Sequence, residues 1–477
     1  MKKFISLFLL GAFSALSMAP YNFWPSLFVG LSALYICVTK CKNVRYAAFS
    51  GFSFSFGYFC FGLYWIGNAL LVEGNPYWWV WPLAVTGLPF ILSLFTAIAC
   101  GLYKYICKTR SNIGTYLVFT AVLFLAEYAR GHLFTGFPWN LYGYTWIDVI
   151  EIAQVAYVGN IYFLTFLTIL WATFPAYILT CNNKKPLAAL YATGILLTFL
   201  LSFYYGYQRL NESSVEDSEI TIVLVQPNIK QSEKWKIENR SNNFLSIIEL
   251  SKNTLNNGAE YNSIKDGMQL IIWPETAISQ DLMSAPWVQK QIKMMLSSYS
   301  QNAFLITGAL RYTSEDEAFH NSVVMYNSDA EIIHIYDKSH LVPFGEYIPF
   351  SNILDIAPIV GFKGFKKGET AALSKPINNL SIALQICYEI IFPKNLSNET
   401  QLPNLIINVT NDAWYGDSAG PYQHLVQARF RAIESNVTLV RSANTGVSAI
   451  VDKNGRIRKE IPLNTKVSIT EKLEKSF

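Results

Sequence analysis

The first 207 residues alternate between long apolar stretches and short polar loops, and this pattern most constrains the fold. The stretches run at 4–18, 23–39, 47–71, 78–103, 113–131, 150–180 and 187–207. Most approach the roughly 20 residues that carry a helix across a bilayer. Backbone polar groups in hydrocarbon must be satisfied internally, so seven membrane-spanning α-helices are expected. The loops alternate in charge. Lys2 and Lys3 precede the first stretch; Lys40, Lys42 and Arg45 follow the second, Lys104, Lys108 and Arg110 the fourth, and Lys184 and Lys185 the sixth. The loop at 72–77 carries only Glu73. This asymmetry puts the N-terminus in the cytoplasm and everything after Tyr207 outside. Residues 1–18 also have the layout of a cleaved signal peptide, which Pro20 close after the cut opposes. The outside placement holds in either case.

Composition agrees: hydrophobic residues make up 52% and charged residues only 15% of the 477. The net charge of +4 gathers in short loops, without a basic stripe, which excludes nucleic acid as a partner and leaves the lipid bilayer. Six of the seven cysteines lie in or beside apolar stretches, where they act as small hydrophobes. Cys387 is the one in the polar part, so no internal disulfide is expected. No CxxC pair or His/Cys cluster has metal spacing; neither a metal nor a cofactor is expected.

After a polar linker at 208–217 the pattern changes to an α/β domain over 218–470. Strands are predicted at 219–226, 268–273, 303–310, 321–326, 331–336, 380–386, 404–410 and 446–451, and helices at about 233–256, 285–299 and 421–436. Asn327–Ala330 and Asp452–Gly455 read as hairpin turns. The apolar segment 342–365 reads as a membrane-facing lid. Glu127 and Arg130 read as a structural ion pair at i,i+3.

Three predicted strands end in reactive side chains. Glu275 follows Trp273-Pro274; Lys338 lies in a segment that also holds Glu346; Cys387 precedes Tyr388 and Glu389. A thiol needs a base, which Glu275 can supply, and Lys338 can neutralise an oxyanion. The backbone N–H of Tyr388 is a second oxyanion donor. Singly, each residue has an ordinary explanation: an inert core cysteine, a turn carboxylate, a surface lysine. Their joint occurrence and order carry the signal.

The order Trp-Pro-Glu, Tyr-Asp-Lys-Ser-His-Leu-Val-Pro-Phe-Gly-Glu-Tyr and Ile-Cys-Tyr-Glu resembles the nitrilase superfamily. Further wording resembles its membrane-bound branch, the apolipoprotein N-acyltransferases. It includes Leu-Val-Gln-Pro-Asn-Ile at 224–229, Asn-Val-Thr-Asn-Asp-Ala-Trp-Tyr-Gly at 408–416, the run 423–434, Arg-Ser-Ala-Asn-Thr-Gly at 441–446, and, in the membrane part, 19–21 and 135–139. The resemblance implies a nitrilase-like αββα sandwich attached to a multi-span α-helical membrane domain, in a bacterial inner membrane with the catalytic domain on the periplasmic side. It implies transfer of a fatty acyl chain from a phospholipid donor to the N-terminal α-amine of a diacylglyceryl apolipoprotein, through a thioester. It assigns Cys387 as nucleophile, Glu275 as general base and Lys338 as the oxyanion cation. Glu346 is then a supporting acid, while Trp235, Tyr388 and Glu389 shape the substrate site. The branch usually carries a further span after the soluble domain, whereas this sequence ends in a polar tail, Thr470 to Phe477; that anchor is expected to be missing and the last strand incomplete.

Three alternatives remain open on the sequence: a membrane-tethered nitrilase-type amidohydrolase, a Cys-His thiol enzyme using His340 or His424, and a non-catalytic scaffold that binds lipoproteins.

Overall fold

The computed structural model describes residues 2–73, 75–108, 112–181, 185–212, 217–254, 267–315, 317–349, 358, 364–368, 377, 380–393 and 403–474. The chain divides into two compact units. The first comprises Met1–Gly67, Tyr77–Ser213 and Ser418–Glu434; the second comprises Asn68–Pro76, Ser214–Asp417 and Ser435–Phe477.

In the first unit, Trp78–Ile106, Ile113–Thr135, Ala156–Thr180 and Ala189–Asn211 are long and apolar enough to cross a membrane. Val44–Gly62 and Tyr64–Leu71 pass that test together as a pair bent by 45°, and Pro25–Thr39 is a shorter apolar helix. The expected stretch 150–180 is interrupted: a short helix, Ile150–Ala153, precedes Ala156–Thr180, which is itself non-helical at Gly159 and Asn160. The outward side chains of the last helix include Leu196, Leu197, Leu200 and Leu201, all exposed. So large an apolar face is stable only against lipid or another apolar surface. The chain is a membrane protein.

Close approach holds these helices together. A Cβ on Gly11 of helix Lys2–Ser14 would lie 1.8 Å from the Phe54 carbonyl oxygen, and one on Gly57 2.0 Å from that of Phe8. Helix Lys2–Ser14 therefore packs backbone to backbone on Val44–Gly62. Arg130 and Glu127 are both buried. Arg130 donates to Glu127 at 2.6 Å and to the carbonyls of Phe137 (2.6 Å) and Trp139 (2.8 Å), pinning the turn after their helix.

Residues 418–434 lie inside the stretch read as the α/β domain, yet they group with the first unit. The reason is Gln423 on helix Gly420–Ser435. Its Oε1 accepts the indole N–H of Trp65 (3.0 Å) and of Trp139 (2.9 Å), and its Nε2 donates to the carbonyls of Ala19 and Gly62 (3.2 Å each). A buried amide needs about this many partners to avoid a desolvation penalty.

The second unit holds two sheets. We number its strands β1 Asp217–Gln226, β2 Met268–Ile272, β3 Ala303–Thr313, β4 Ala318–Tyr326, β5 Ile332–Asp337, β6 Ile382–Ile386, β7 Leu405–Thr410, β8 Thr438–Ala443, β9 Ser448–Val451, β10 Ile457–Ile461 and β11 Val467–Glu474. One sheet runs β11-β1-β2-β3-β4-β5, the other β10-β9-β8-β7-β6. The strand period of two sorts side chains between layers. Ile222, Leu224, Leu270, Ile272 and Ile306 join Ile386, Ile407 and Val440 in a core between the sheets. Val223, Val225, Ile271 and Trp273 meet Phe244, Ile248, Ile292 and Leu296 from helices Ile237–Asn253 and Pro286–Ser297. Each such side chain contributes about 1.5–3 kcal/mol when fully buried. Helix Gly420–Ser435 lies in the sequence between β7 and β8, which pair in parallel.

Three strands escaped the sequence reading. β8 follows its helix almost directly, β10 alternates with charged residues, and β11 includes residues read as a polar tail. β11 pairs with β1 in continuous register from Gln226↔Val467 to Thr221↔Lys472, so this strand of the sheet is formed. The predicted helix 233–256 is two helices, Gln231–Lys234 and Ile237–Asn253. Most of the expected lid at 342–365 lies outside the described residues.

Candidate active site

Glu275 sits just past the C-terminal end of β2, where parallel β1, β2 and β3 direct their strand ends to one edge. The chain turns there across Gly308 of β3. A Cβ on Gly308 would lie 2.4 Å from the Thr276 nitrogen, 2.5 Å from the Glu275 Cα and 2.6 Å from the Pro274 oxygen. Gly308→Ala is therefore expected to cost about 1–3 kcal/mol through overpacking. By displacing Glu275 it should also lower activity about a hundredfold; thermal unfolding beside an activity assay checks both.

The carboxylates and ammonium form one chain. Asn321 of β4 donates through Nδ2 to Glu275 Oε1 at 2.7 Å and to Glu346 Oε1 at 3.2 Å. Lys338, one residue past β5, donates to the same Glu346 oxygen at 2.8 Å, and the Val342 N–H donates to Glu346 Oε2 at 2.8 Å. Lys338 is 1% exposed. Burial works against its charge, but Glu346, then Cys387 and Glu275, outweigh it and hold the ammonium above the usual lysine range.

Cys387 is the first residue past β6 and has φ of 51°, a left-handed conformation costly for a residue with a Cβ. Burial first, and Glu275 next, push its thiol up to about 12; Lys338 and a hydrogen bond with Thr410 oppose this, while Asp412 adds to it. The resting thiol is thus protonated and needs a base at the moment of attack. Glu275, Lys338 and Cys387 are close enough for each charge to act on the others, and all three are buried.

Glu389 is fully buried and is an acceptor for two segments of the chain. Its Oε1 accepts from the Tyr336 hydroxyl (2.8 Å), the Ser339 N–H (2.7 Å) and hydroxyl (2.9 Å), and the His340 N–H (3.0 Å); Oε2 accepts from the Ile386 N–H (2.8 Å). The carboxylate ties the Cys387 turn to the segment after Lys338. Burial pushes its pKa up, against Lys338 and these donors. Tyr388 is buried against His340 and Phe392, at centroid distances of 5.8 and 5.3 Å. Trp235 is half-buried and lines a small cavity with Glu275, Lys234, Arg240 and Asn444.

As for the histidines, the ring of His340 stacks on Phe392 at 4.0 Å, and His424 belongs to the first unit, beside Trp139. Burial, and then the carboxylates and the lysine named above with Thr410, act on the Cys387 thiol.

Residues 10–174 match the family described as apolipoprotein N-acyltransferase N-terminal domain, and residues 221–472 match carbon-nitrogen hydrolase. An apolipoprotein N-acyltransferase of Rhodopseudomonas palustris is 35% identical over 480 residues, covering 97% of this chain and 88% of its own length. That of Rickettsia prowazekii is 36% identical over 460 residues, covering 96% and 89%. The chain belongs to the apolipoprotein N-acyltransferase family. A third member, from Allorhizobium ampelinum, is 35% identical and covers 95% of this chain and 86% of itself.

The family wording at 408–416 and 441–446 gains a physical meaning from the structure. Arg441 and Asp412, both with fully buried side chains, pair at 2.6 Å; Arg441 also bonds Asn408, and Thr410 donates to Asp412 at 3.0 Å. Asn444 donates to the Ile229 carbonyl at 2.6 Å and to Asn411 at 3.0 Å. These motifs lock the strand ends beside Cys387. Asn321, Tyr336 and Lys234, which the sequence reading passed over, also bond site residues; their partners lie 25 to 53 positions away, so no local signal marked them.

Proposed function

We propose that this chain moves a fatty acyl group from a phospholipid to the α-amine of a diacylglyceryl-modified N-terminal cysteine of an apolipoprotein. Family membership supports the reaction class, and the shared burial and mutual charge coupling of Glu275, Lys338 and Cys387 carry the chemistry. Glu275 takes the Cys387 proton as Sγ attacks the ester carbonyl carbon. The oxyanion forms beside the Lys338 ammonium and the Tyr388 N–H. The ester C–O bond breaks, Glu275 returns the proton to the departing lysophospholipid oxygen, and an acyl thioester remains. The neutral acceptor amine attacks that thioester, forming the amide and breaking the C–S bond, while its proton passes by way of Glu275 to the thiolate. Trp235 and Tyr388 line the path of the substrates. Counting the short helices Lys2–Ser14 and Pro25–Thr39 with the four long spans and the bent pair as seven crossings, the basic loops orient the catalytic domain, 218–470, toward the periplasmic side of the bacterial inner membrane.

The test is intact-protein mass spectrometry of detergent-solubilised enzyme incubated with dipalmitoyl phosphatidylethanolamine. One palmitoyl group is expected on Cys387, discharged by a diacylglyceryl lipopeptide with formation of an amide. An unmodified Cys387 in a preparation that still transfers acyl groups, or discharge to free fatty acid alone, overturns the reading.

A further inference from the structure

A second buried lysine stands beside Glu275, the base of the proposed mechanism. Lys234 ends helix Gln231–Lys234, is 9% exposed, and donates from Nζ to the Glu275 backbone carbonyl at 2.9 Å. The Trp235 ring lies 5.7 Å from its nitrogen. Lysine is rarely buried this fully, and here its hydrogen bond reaches a neutral carbonyl of the very residue that must accept the thiol proton. A leucine or methionine would fill the space without the desolvation cost of an ammonium.

We propose that Lys234 is a second cation of the catalytic centre, a positioning residue that fixes the Glu275 backbone and, while charged, favours negative charge on Cys387. The inference rests on the acyl-transfer reading above. Lys338 reaches the site from β5 and Lys234 from the β1 side, so the two cations hold it from different elements. Burial brings the Lys234 ammonium down to about 8, with Glu275 and then Cys387 opposing. Coupling is reciprocal: whatever a negative Cys387 does for the ammonium, the ammonium does for the thiolate. The groups around Lys234 are Glu275 past β2, Cys387 past β6, and Arg240 on helix Ile237–Asn253, which lines the same cavity. As pH rises through about 8, Lys234 is therefore the cation that switches off, and acyl loading slows.

The experiment measures the single-turnover rate of palmitoyl loading on Cys387 from dipalmitoyl phosphatidylethanolamine micelles between pH 6 and about 10, with folding checked by thermal unfolding. Wild type should show an alkaline limb near pH 8. Lys234→Arg should move that limb above the range studied, since arginine stays charged. Lys234→Met should lack the limb and load about tenfold more slowly at pH 7, the effect of about one unit of lost coupling. A wild-type limb that survives unchanged in Lys234→Arg, or loading with no alkaline limb at all, overturns the inference and leaves the acyl-transfer reading standing. Absence of any palmitoyl-Cys387 in wild type overturns that reading instead. Should Lys234→Met fail to fold, Lys234→Arg decides alone.

Discussion

Lys338→Met is expected to slow acyl loading of Cys387 by about three orders of magnitude, because in the proposed mechanism it removes the charge that meets the developing oxyanion. The same change leaves Glu346 buried with its ionic partner gone. Lys338 and Glu346 are 1% and 9% exposed at their side chains and pair at 2.8 Å. Breaking a buried pair by deleting one member costs about 3–5 kcal/mol. The pH at which this is measured matters. The folded protein holds the Lys338 ammonium above its ordinary range, so its stabilisation is complete below the unfolded lysine value, about 10.4, and is lost as pH rises through the folded one. Measurement near pH 7 therefore reads the full effect. Lys338→Arg keeps the charge, but its fork does not fit a site built for one ammonium; it should recover stability more than rate. A Lys338→Met variant that loads within tenfold of wild type would remove Lys338 from the proposed mechanism.

Glu389→Ala is expected to have the largest effect on stability. It leaves five donors without their acceptor, three of them backbone N–H groups, around a carboxylate that is 0% exposed. At about 1–3 kcal/mol for each orphaned buried group, and allowing for partial hydration, the loss should reach about 5 kcal/mol. For a unit of this size that lowers the melting temperature by about 10 °C or more. Rate should fall as well, because the Ile386 N–H bond holds the turn in which Cys387 keeps its left-handed backbone. Glu389→Gln preserves shape but turns an N–H₂ group toward N–H donors, so it should recover only part of the loss. Differential scanning calorimetry beside acyl loading separates the two effects. An unchanged melting temperature in Glu389→Ala would mean that the five bonds are not made.

Much of this protein is legible in its residues one stretch at a time. β2 and β7 are short apolar runs, and their complete burial as parallel strands needs nothing beyond that composition. The apolar helices are legible for the same reason, since a bilayer selects on local hydropathy. Legibility fails where a segment's role depends on a distant partner. β11 looks like a charged tail until it is set beside β1, some 250 positions earlier, which supplies its hydrogen bonds, while Val467, Ile469 and Leu473 turn into the core between the sheets. Gln423 and its neighbours look like an ordinary part of the α/β domain, yet two indoles and two carbonyls in the membrane part decide where that helix belongs.

The site divides along the same line. The sequence by itself determined which side chains could react: a thiol, a carboxylate and an ammonium, each placed at the end of an apolar strand. Reactivity of that kind belongs to the residue type and its immediate neighbours. Only the tertiary structure decided how those groups are charged and held. It put Asn321 between Glu275 and Glu346, gave Glu389 to the Cys387 turn, and brought Lys234 to the Glu275 backbone. Charge and orientation depend on burial and on neighbours within a few ångströms, and those neighbours come from strands and turns that meet only when the sheets are formed.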